Sequence, residues 1–283
     1  MPVTLDQLLA TPMPDRVMDY TEKDLILYAL GVGMGSDPLD EEQLRFVYEK
    51  DLAVLPTALV VLPYLRIADL DLGLNYQKIV HGEQWLTMHN SPRPAGRVIA
   101  RSRLDGVIDK GPEKGLIVAL SREVHDLDTG EHLASIGMSL MARGDGGIGG
   151  SGEAPPPMGT IPDRAPDATC VMPVSLRSAL IYRLSGDINP LHTDPAAARK
   201  AGFDRPILHG LATFGFMGHA VVRQMCGYDP ARLKSLRGRF SAPVFPGDTI
   251  EVDFWNEPGG VALRARVPAR DVTVFNNGFA DLA

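Results

Sequence analysis

Apolar positions along the chain fall into helical and strand registers, and each pattern occurs twice. From Thr21 to Gly33, Leu25, Ala29 and Val32 recur at helical spacing, and from Ser175 to Asp187, Leu176, Leu180 and Leu184 do the same. Thr21 with Asp24 is a capping pair for the first helix, and Ser175 is placed to cap the second. A constant offset of 154 aligns Tyr28 with Tyr182, Leu30 with Leu184 and Leu25 with Ala179. The same offset sets Val54–Leu62 opposite Leu208–Phe216, each predicted to begin a second apolar helix. In the second half that helix runs from Gly210 to Cys226 and is apolar nearly all round, so it must be buried on most sides.

Strand patterns follow in both halves. The first offers Lys78–Met88, Arg97–Asp109, Leu116–Asp126 and His132–Ala142, and the second Leu236–Pro243, Thr249–Trp255, Val261–Val267 and Val272–Asn277. Ile250, Val252 and Phe254 point one way, with Glu251, Asp253 and Trp255 the other. No helical pattern separates consecutive strands, so the sheets should be antiparallel. The expected fold is α+β, a double hot-dog: two antiparallel sheets, each wrapped around a buried helix, in a single-chain tandem repeat. The glycine- and proline-rich stretch 143–168 reads as a linker between a first repeat, 1–142, and a second, 169–283.

Composition narrows the class. The chain has 283 residues, 45% apolar and 22% charged, the balance of a globular protein. A net charge of −7, with no basic run longer than two residues, argues against non-specific nucleic-acid binding. The longest apolar stretch, Ala58–Leu65, is too short to span a bilayer and is broken by Pro63. No export signal opens the chain and Asp281-Leu282-Ala283 is no address tripeptide, so a cytoplasmic location is expected. Cys170 and Cys226 lack metal-site spacing, and the histidines at 81, 89, 125, 132, 192, 209 and 219 show no ligand pair at helical spacing with a carboxylate partner. The expectation is no metal and no cofactor.

The densest chemistry lies between Tyr182 and Gly210. Gly186 ends one helix and permits a left-handed backbone, while Asp194-Pro195 starts the next. Asp187 and His192 are clamped between those helix ends, which suits a preorganised carboxylate and imidazole. Turn-forming Asp and Asn and a histidine satisfying a carbonyl would explain the same residues. No GxSxG accompanies the pair, so a nucleophilic triad is not indicated.

The run Tyr182-Arg183-Leu184-Ser185-Gly186-Asp187-Ile188-Asn189-Pro190-Leu191-His192, continued by Pro206-Ile207-Leu208-His209-Gly210, resembles the signature of the hydratase 2, or MaoC-like, R-specific enoyl-CoA hydratases. Tyr48-Glu49, Leu55-Pro56-Thr57, His81-Gly82-Glu83-Gln84, Asp109-Lys110-Gly111, Arg239-Phe240 and Pro246-Gly247 extend the likeness over nearly the whole chain. The pattern is that of the two-repeat hydratase domain of peroxisomal multifunctional enzymes, here without dehydrogenase or sterol-carrier regions. Gly146-Gly147-Ile148-Gly149-Gly150 departs from it, since relatives carry Phe in the middle.

The resemblance implies a hydro-lyase that reversibly adds water to trans-2-enoyl-CoA, giving (3R)-3-hydroxyacyl-CoA. Asp187 and His192 would handle the water, Asn189 would support their geometry, and the Gly210 N–H would receive the thioester oxyanion. His81, Gly82, Lys110, Ile188, Pro190, Leu191 and Phe240 are the implied substrate contacts, with Glu49 an additional acid. At the 154 offset Gly33 replaces Asp187 and Pro56 replaces Gly210, so one active site per chain is expected, with the first half holding substrate. The implied partners are the acyl-CoA thioester and, for assembly, a second copy of the chain, with no nucleic acid or membrane. A dehydratase acting on acyl-carrier-protein thioesters, a non-catalytic thioester-binding subunit and a hot-dog thioesterase are the alternatives.

Overall fold

The strand-forming stretches of the two halves meet edge to edge. The structure, a computed structural model, describes residues 3–283. The first half contributes β1 (Arg16–Tyr20), β2 (Ile79–Met88), β3 (Gly96–Asp109), β4 (Leu116–Asp126), β5 (His132–Ala142) and the two-residue β6 (Ser151–Gly152). The second contributes β7 (Ala168–Pro173), β8 (Leu233–Phe240), β9 (Thr249–Glu257), β10 (Gly260–Val267) and β11 (Val272–Leu282). They form one antiparallel sheet in the order β1-β3-β4-β5-β2-β8-β11-β10-β9-β7, with β6 on β3. Counted outward from the β2–β8 seam, each half runs second, fifth, fourth, third, first strand. The repeated topology is that of a double hot-dog.

The two expected sheets are thus one. Glu83–Thr87 of β2 pairs with Arg239–Ser235 of β8, satisfying two edges that would otherwise expose ladder groups. Arg239 reinforces the seam, with Nη2 at 2.8 Å from Glu83 Oε1. The outermost strands, β1 and β7, were not among the expected ones. They are short, five and six residues, and give too little alternation to register.

Among the described residues six α-helices accompany the sheet: α1 (Leu5–Leu9), α2 (Glu22–Gly31), α3 (Glu41–Leu44), α4 (Ser178–Tyr182), α5 (Pro195–Lys200) and α6 (Gly210–Gln224). Thr21 caps α2 as expected, its N–H and hydroxyl both donating to Asp24 Oδ2 at 2.8 and 2.7 Å. Ser175 does not cap α4 directly. Its Oγ accepts from the Arg177 N–H in the turn before a helix that begins at Ser178. The repeated helices α2 and α4 pack on each other, and Tyr28 meets Tyr182 at 5.8 Å between ring centroids.

The offset fails for two details. Leu176, Leu180 and Leu184 are 76, 54 and 59% exposed, because α4 turns Ser178, Ala179 and Tyr182 inward instead. Gly31 comes so close to Tyr182 that a Cβ on it would sit 3.1 Å from the Tyr182 Cα, and such an approach admits only small residues alongside. The apolar helix expected from Val54 is a five-residue 3-10 turn, Pro56–Val60. Pro63 lacks an N–H and restricts the residue before it, so the turn cannot propagate.

The consequence is two cores of different construction. In the second half α6 lies buried against the sheet, with Phe214, Phe216, Met217, Val221 and Val222 at 0% exposure. Gly215 and Gly218 let it press on α2 and the Pro56 turn, since a Cβ there would meet Val32 and Thr57 at 2.6 and 2.5 Å. That core continues into the first half through Leu86, Val98, Ala100, Val124 and Ile136, and only the rest of the first-half sheet is covered separately, by Leu8 of α1 and by Leu65, Leu70, Leu72 and Leu74 of an irregular segment. Among the described residues no helix is long and apolar enough to cross a membrane.

Candidate active site

The loop between α4 and α5 is built by local bonding. Gly186 takes φ 120°, a conformation other residues rarely adopt, and turns the chain after α4. Asn189 caps the next turn, its Oδ1 accepting from the Leu191 N–H at 3.1 Å, and Pro190 opens a 3-10 turn ending at His192. Asp194 accepts from the Ala196 N–H at 2.8 Å and starts α5. The Asn189 side chain therefore holds the turn that carries His192, and the Asn189 backbone N–H donates to Asp187 Oδ1 at 3.2 Å.

This loop brings the acid and base together. A carboxylate oxygen of Asp187, a ring nitrogen of His192 and one of His209 all lie within 4.8 Å of one another. His192 is buried, and its Nδ1–H donates to the Ile207 carbonyl at 3.0 Å. The neutral ring consequently carries its lone pair on Nε2. Burial lowers the His192 pKa, against the pull of the Asp187 charge and the Ile207 bond, so the neutral base is favoured. His209 stacks on His192 at 3.8 Å and donates from Nε2 to the Asp187 carbonyl at 3.0 Å. Its pKa is lowered to about 3, first by burial and then by His192.

One further side chain reaches the pair, and a buried cation lies behind it. The Tyr64 hydroxyl donates to Asp187 Oδ2 at 3.2 Å, and burial with the Asp187 charge raises its pKa. Arg122 is buried with Nη2 donating to the Val60 carbonyl and no ion-pair partner among the described residues, and desolvation lowers its pKa to about 10. Its charge is felt at Tyr64 and at His81.

Gly210 is the first residue of α6, so its N–H has no intrahelical acceptor. A side chain there would have open space, with Phe240 Cζ at 4.0 Å the nearest atom. Phe240 in turn meets His81 edge-on at 4.9 Å. His81 donates from Nε2 to the Glu83 carbonyl across the bulge at Gly82, and its pKa is lowered to about 4, mainly by burial. Asp187, His192, Gly210, His81, Gly82 and Phe240 thus belong to one neighbourhood at the seam. Ile188 and Pro190 are exposed on the same loop and Leu191 is half-buried.

Lys110 and Glu49 do not join them. Lys110 is exposed at the turn after β3, level with the start of β2 but three strand spacings away, roughly 14 Å. Glu49 is exposed and lines a separate shallow hollow with Thr21, Lys23 and Ala95. Sequence reasoning missed Tyr64 and Arg122, which carry no motif, and gave His209 no role although it sits in the quoted signature.

Comparison with known proteins identifies the family. The family model for the MaoC like domain matches residues 157–272, and that for the MFE-2 hydratase 2 N-terminal domain matches residues 18–144. Enoyl-CoA hydratase 2, peroxisomal, of Arabidopsis thaliana is 36% identical over 98% of this chain and 94% of its own. The chain belongs to the MaoC-like hydratase 2 family. As a member of that family it is a hydro-lyase. The 3-hydroxyacyl-thioester dehydratase Y of Mycobacterium tuberculosis is 38% identical over 90% of this chain and 89% of its own. The crystal structure of a MaoC-like dehydratase from Phytophthora capsici superposes with a TM-score of 0.88 at 33% identity, covering 99% of both chains. The two family models meet at the glycine- and proline-rich stretch, so the family signature and the Asp187–His192 loop fall in the second half.

Proposed function

We propose that the protein reversibly hydrates trans-2-enoyl-CoA thioesters to (3R)-3-hydroxyacyl-CoA. The observation that carries this reading is the placing of Asp187 and His192 within 4.8 Å, beside the free first-turn N–H of α6. A water molecule can hydrogen-bond to a carboxylate oxygen and to an imidazole nitrogen lying within that distance of each other, at about 2.8 Å to each. His192 Nε2 takes one of its protons as oxygen attacks the β-carbon, and the Asp187–His192 pair returns a proton to the α-carbon. Charge moves to the thioester oxygen, where the Gly210 N–H and the N-terminus of a fifteen-residue helix face it. His81, Phe240, Gly82 and the Ile188–Leu191 segment line the approach, and Lys110 meets the distant end of the CoA.

One active site per chain follows from the repeat. Pro56 opens its 3-10 turn as Gly210 opens α6, but has no N–H to donate. The missing first-half helix leaves an irregular wall there, and we assign that half to holding substrate. The test is hydration of crotonyl-CoA and longer enoyl-CoAs by the purified chain, with chiral analysis of the product. An (R)-alcohol is expected. An (S)-product, or release of free thiol, would refute the reading. The relative named as a 3-hydroxyacyl-thioester dehydratase supports the reverse direction as well, and comparison of CoA with acyl-carrier-protein substrates sets the carrier.

A further inference from the structure

A second cluster of chemically active side chains lies on the opposite face of the sheet. Val124 and Ala134 point into the core, so their neighbours Glu123, His125 and Ser135 point outward. Strand register pairs His125 with His132 and Glu123 with Ser135. Just past the end of β2, the His89 N–H donates to the Leu133 carbonyl at 2.8 Å, bringing a third imidazole onto the row. His132 stacks between the other two rings, at 4.0 Å from His89 and 4.6 Å from His125.

The polar atoms converge on one point. His132 Nε2 lies 2.5 Å from Glu123 Oε2, and the Ser135 hydroxyl reaches Glu123 Oε2 at 2.7 Å and His89 Nε2 at 2.9 Å. One donor atom from each of His89, Glu123 and His132 lies within 4.8 Å of both others. We propose that His89, His132 and Glu123 form a surface site for one borderline transition-metal ion of the Zn2+ class. Two imidazoles and one carboxylate are the ligand set such ions favour over Mg2+ or Ca2+. Ligand atoms around a tetrahedral ion at about 2.0–2.1 Å sit roughly 3.3 Å apart. His89, exposed at the strand end, has room to adjust toward the Glu123–His132 pair, which would open from 2.5 Å to admit the ion.

The surroundings suit such an ion. Arg103 approaches the other Glu123 oxygen only at 4.0 Å and is itself paired with Asp105. His125 Nδ1 is buried without a hydrogen-bond partner, leaving that ring free to support or join the set. A bound ion would tie the end of β2 to β4 and β5. His89 stands eight residues along β2 from His81, about 26 Å in extended chain, so this inference is independent of the proposed chemistry.

The test is calorimetric titration of the tag-free full chain with Zn2+ in a non-chelating buffer, with melting temperature read in parallel. One ion per chain is expected, with a higher melting temperature. In His89→Ala and in His132→Ala the affinity should fall about tenfold or more, while Mg2+ gives no signal. Asp187→Asn with His192→Ala serves as the second arm, because Asp187, His192 and His209 also converge. Zn2+ binding should survive in that variant. Absence of binding at about 100 µM Zn2+, binding that persists without His89 and His132, or binding lost only in the second arm would overturn the site.

Discussion

His192 and His209 lie ring on ring, 3.8 Å between centroids, with one hydrogen on each ring committed to a main-chain carbonyl. Protonating either ring places a buried cation against its neighbour. In the proposed chemistry His192 is a neutral base, and burial lowers its pKa below the ordinary 6.5, so kcat/KM should hold steady above about pH 6.5 and fall only on the acid side of it. Stability should follow the same sign. His209 and His219 have folded pKa values of about 3 and about 4, so the unfolded chain binds more protons below pH 6.5. Unfolding free energy is then lost between about pH 6.5 and 4, by the order of a few kcal/mol, measurable by denaturant titration at stepped pH.

Asp187→Asn and His192→Ala should each lower kcat by about a hundredfold or more with the fold intact. Tyr64→Phe removes the hydroxyl donated to Asp187 Oδ2 and should cost about tenfold. Steady-state kinetics beside circular dichroism separates these effects from unfolding, and full activity in Asp187→Asn would remove it from the chemistry.

Gly210 permits a sharper substitution. Proline is tolerated in the first helical position, where it deletes only the N–H, as Pro56 does in the first half. Gly210→Pro should lose about a hundredfold in kcat while its melting temperature changes little. Gly210→Ala keeps the N–H and adds a Cβ with its nearest neighbour at 4.0 Å, so it should retain much more activity. Equal losses in the two variants would point to bulk rather than to the oxyanion donor.

Lys110→Ala should raise KM with kcat little changed, because a cation near the carrier acts alike on ground and transition states. The double variant Asp187→Asn/Gly33→Asp should stay inactive. Gly33 has φ 86°, and a Cβ there would come within 2.8 Å of Phe216 Cε1, so the new acid is strained and pressed against α6. Recovered hydration would show a competent first-half site.

Exhaustive chelation should leave the hydration rate unchanged, since the proposed chemistry needs only Asp187, His192 and Gly210. A rate that falls and is restored by Zn2+ would shift attention to the Asp187–His192–His209 trio as a metal centre.

By itself the sequence determined what depends on neighbours along the chain. Strand alternation, the Thr21–Asp24 cap, the all-apolar α6 and the loop that clamps Asp187 and His192 are set by residues within a few positions of one another, and each is found where local physics places it. The repeat was legible because both halves kept the same short-range grammar. Tertiary structure decided the rest. Whether two sheets stay apart or join is settled by edge pairing between β2 and β8, some 150 residues distant. Leu176, Leu180 and Leu184 carry a perfect helical stripe, yet the close approach of α2 and α4 at Gly31 and Tyr182 turned it outward. Pro63 stopped a helix that apolar content alone predicted. Tyr64 and Arg122 reach the site only because that irregular segment folds over it and β4 runs beneath. His89, Glu123 and His132 share no spacing that a chain reading could recognise, and strand register alone makes them neighbours.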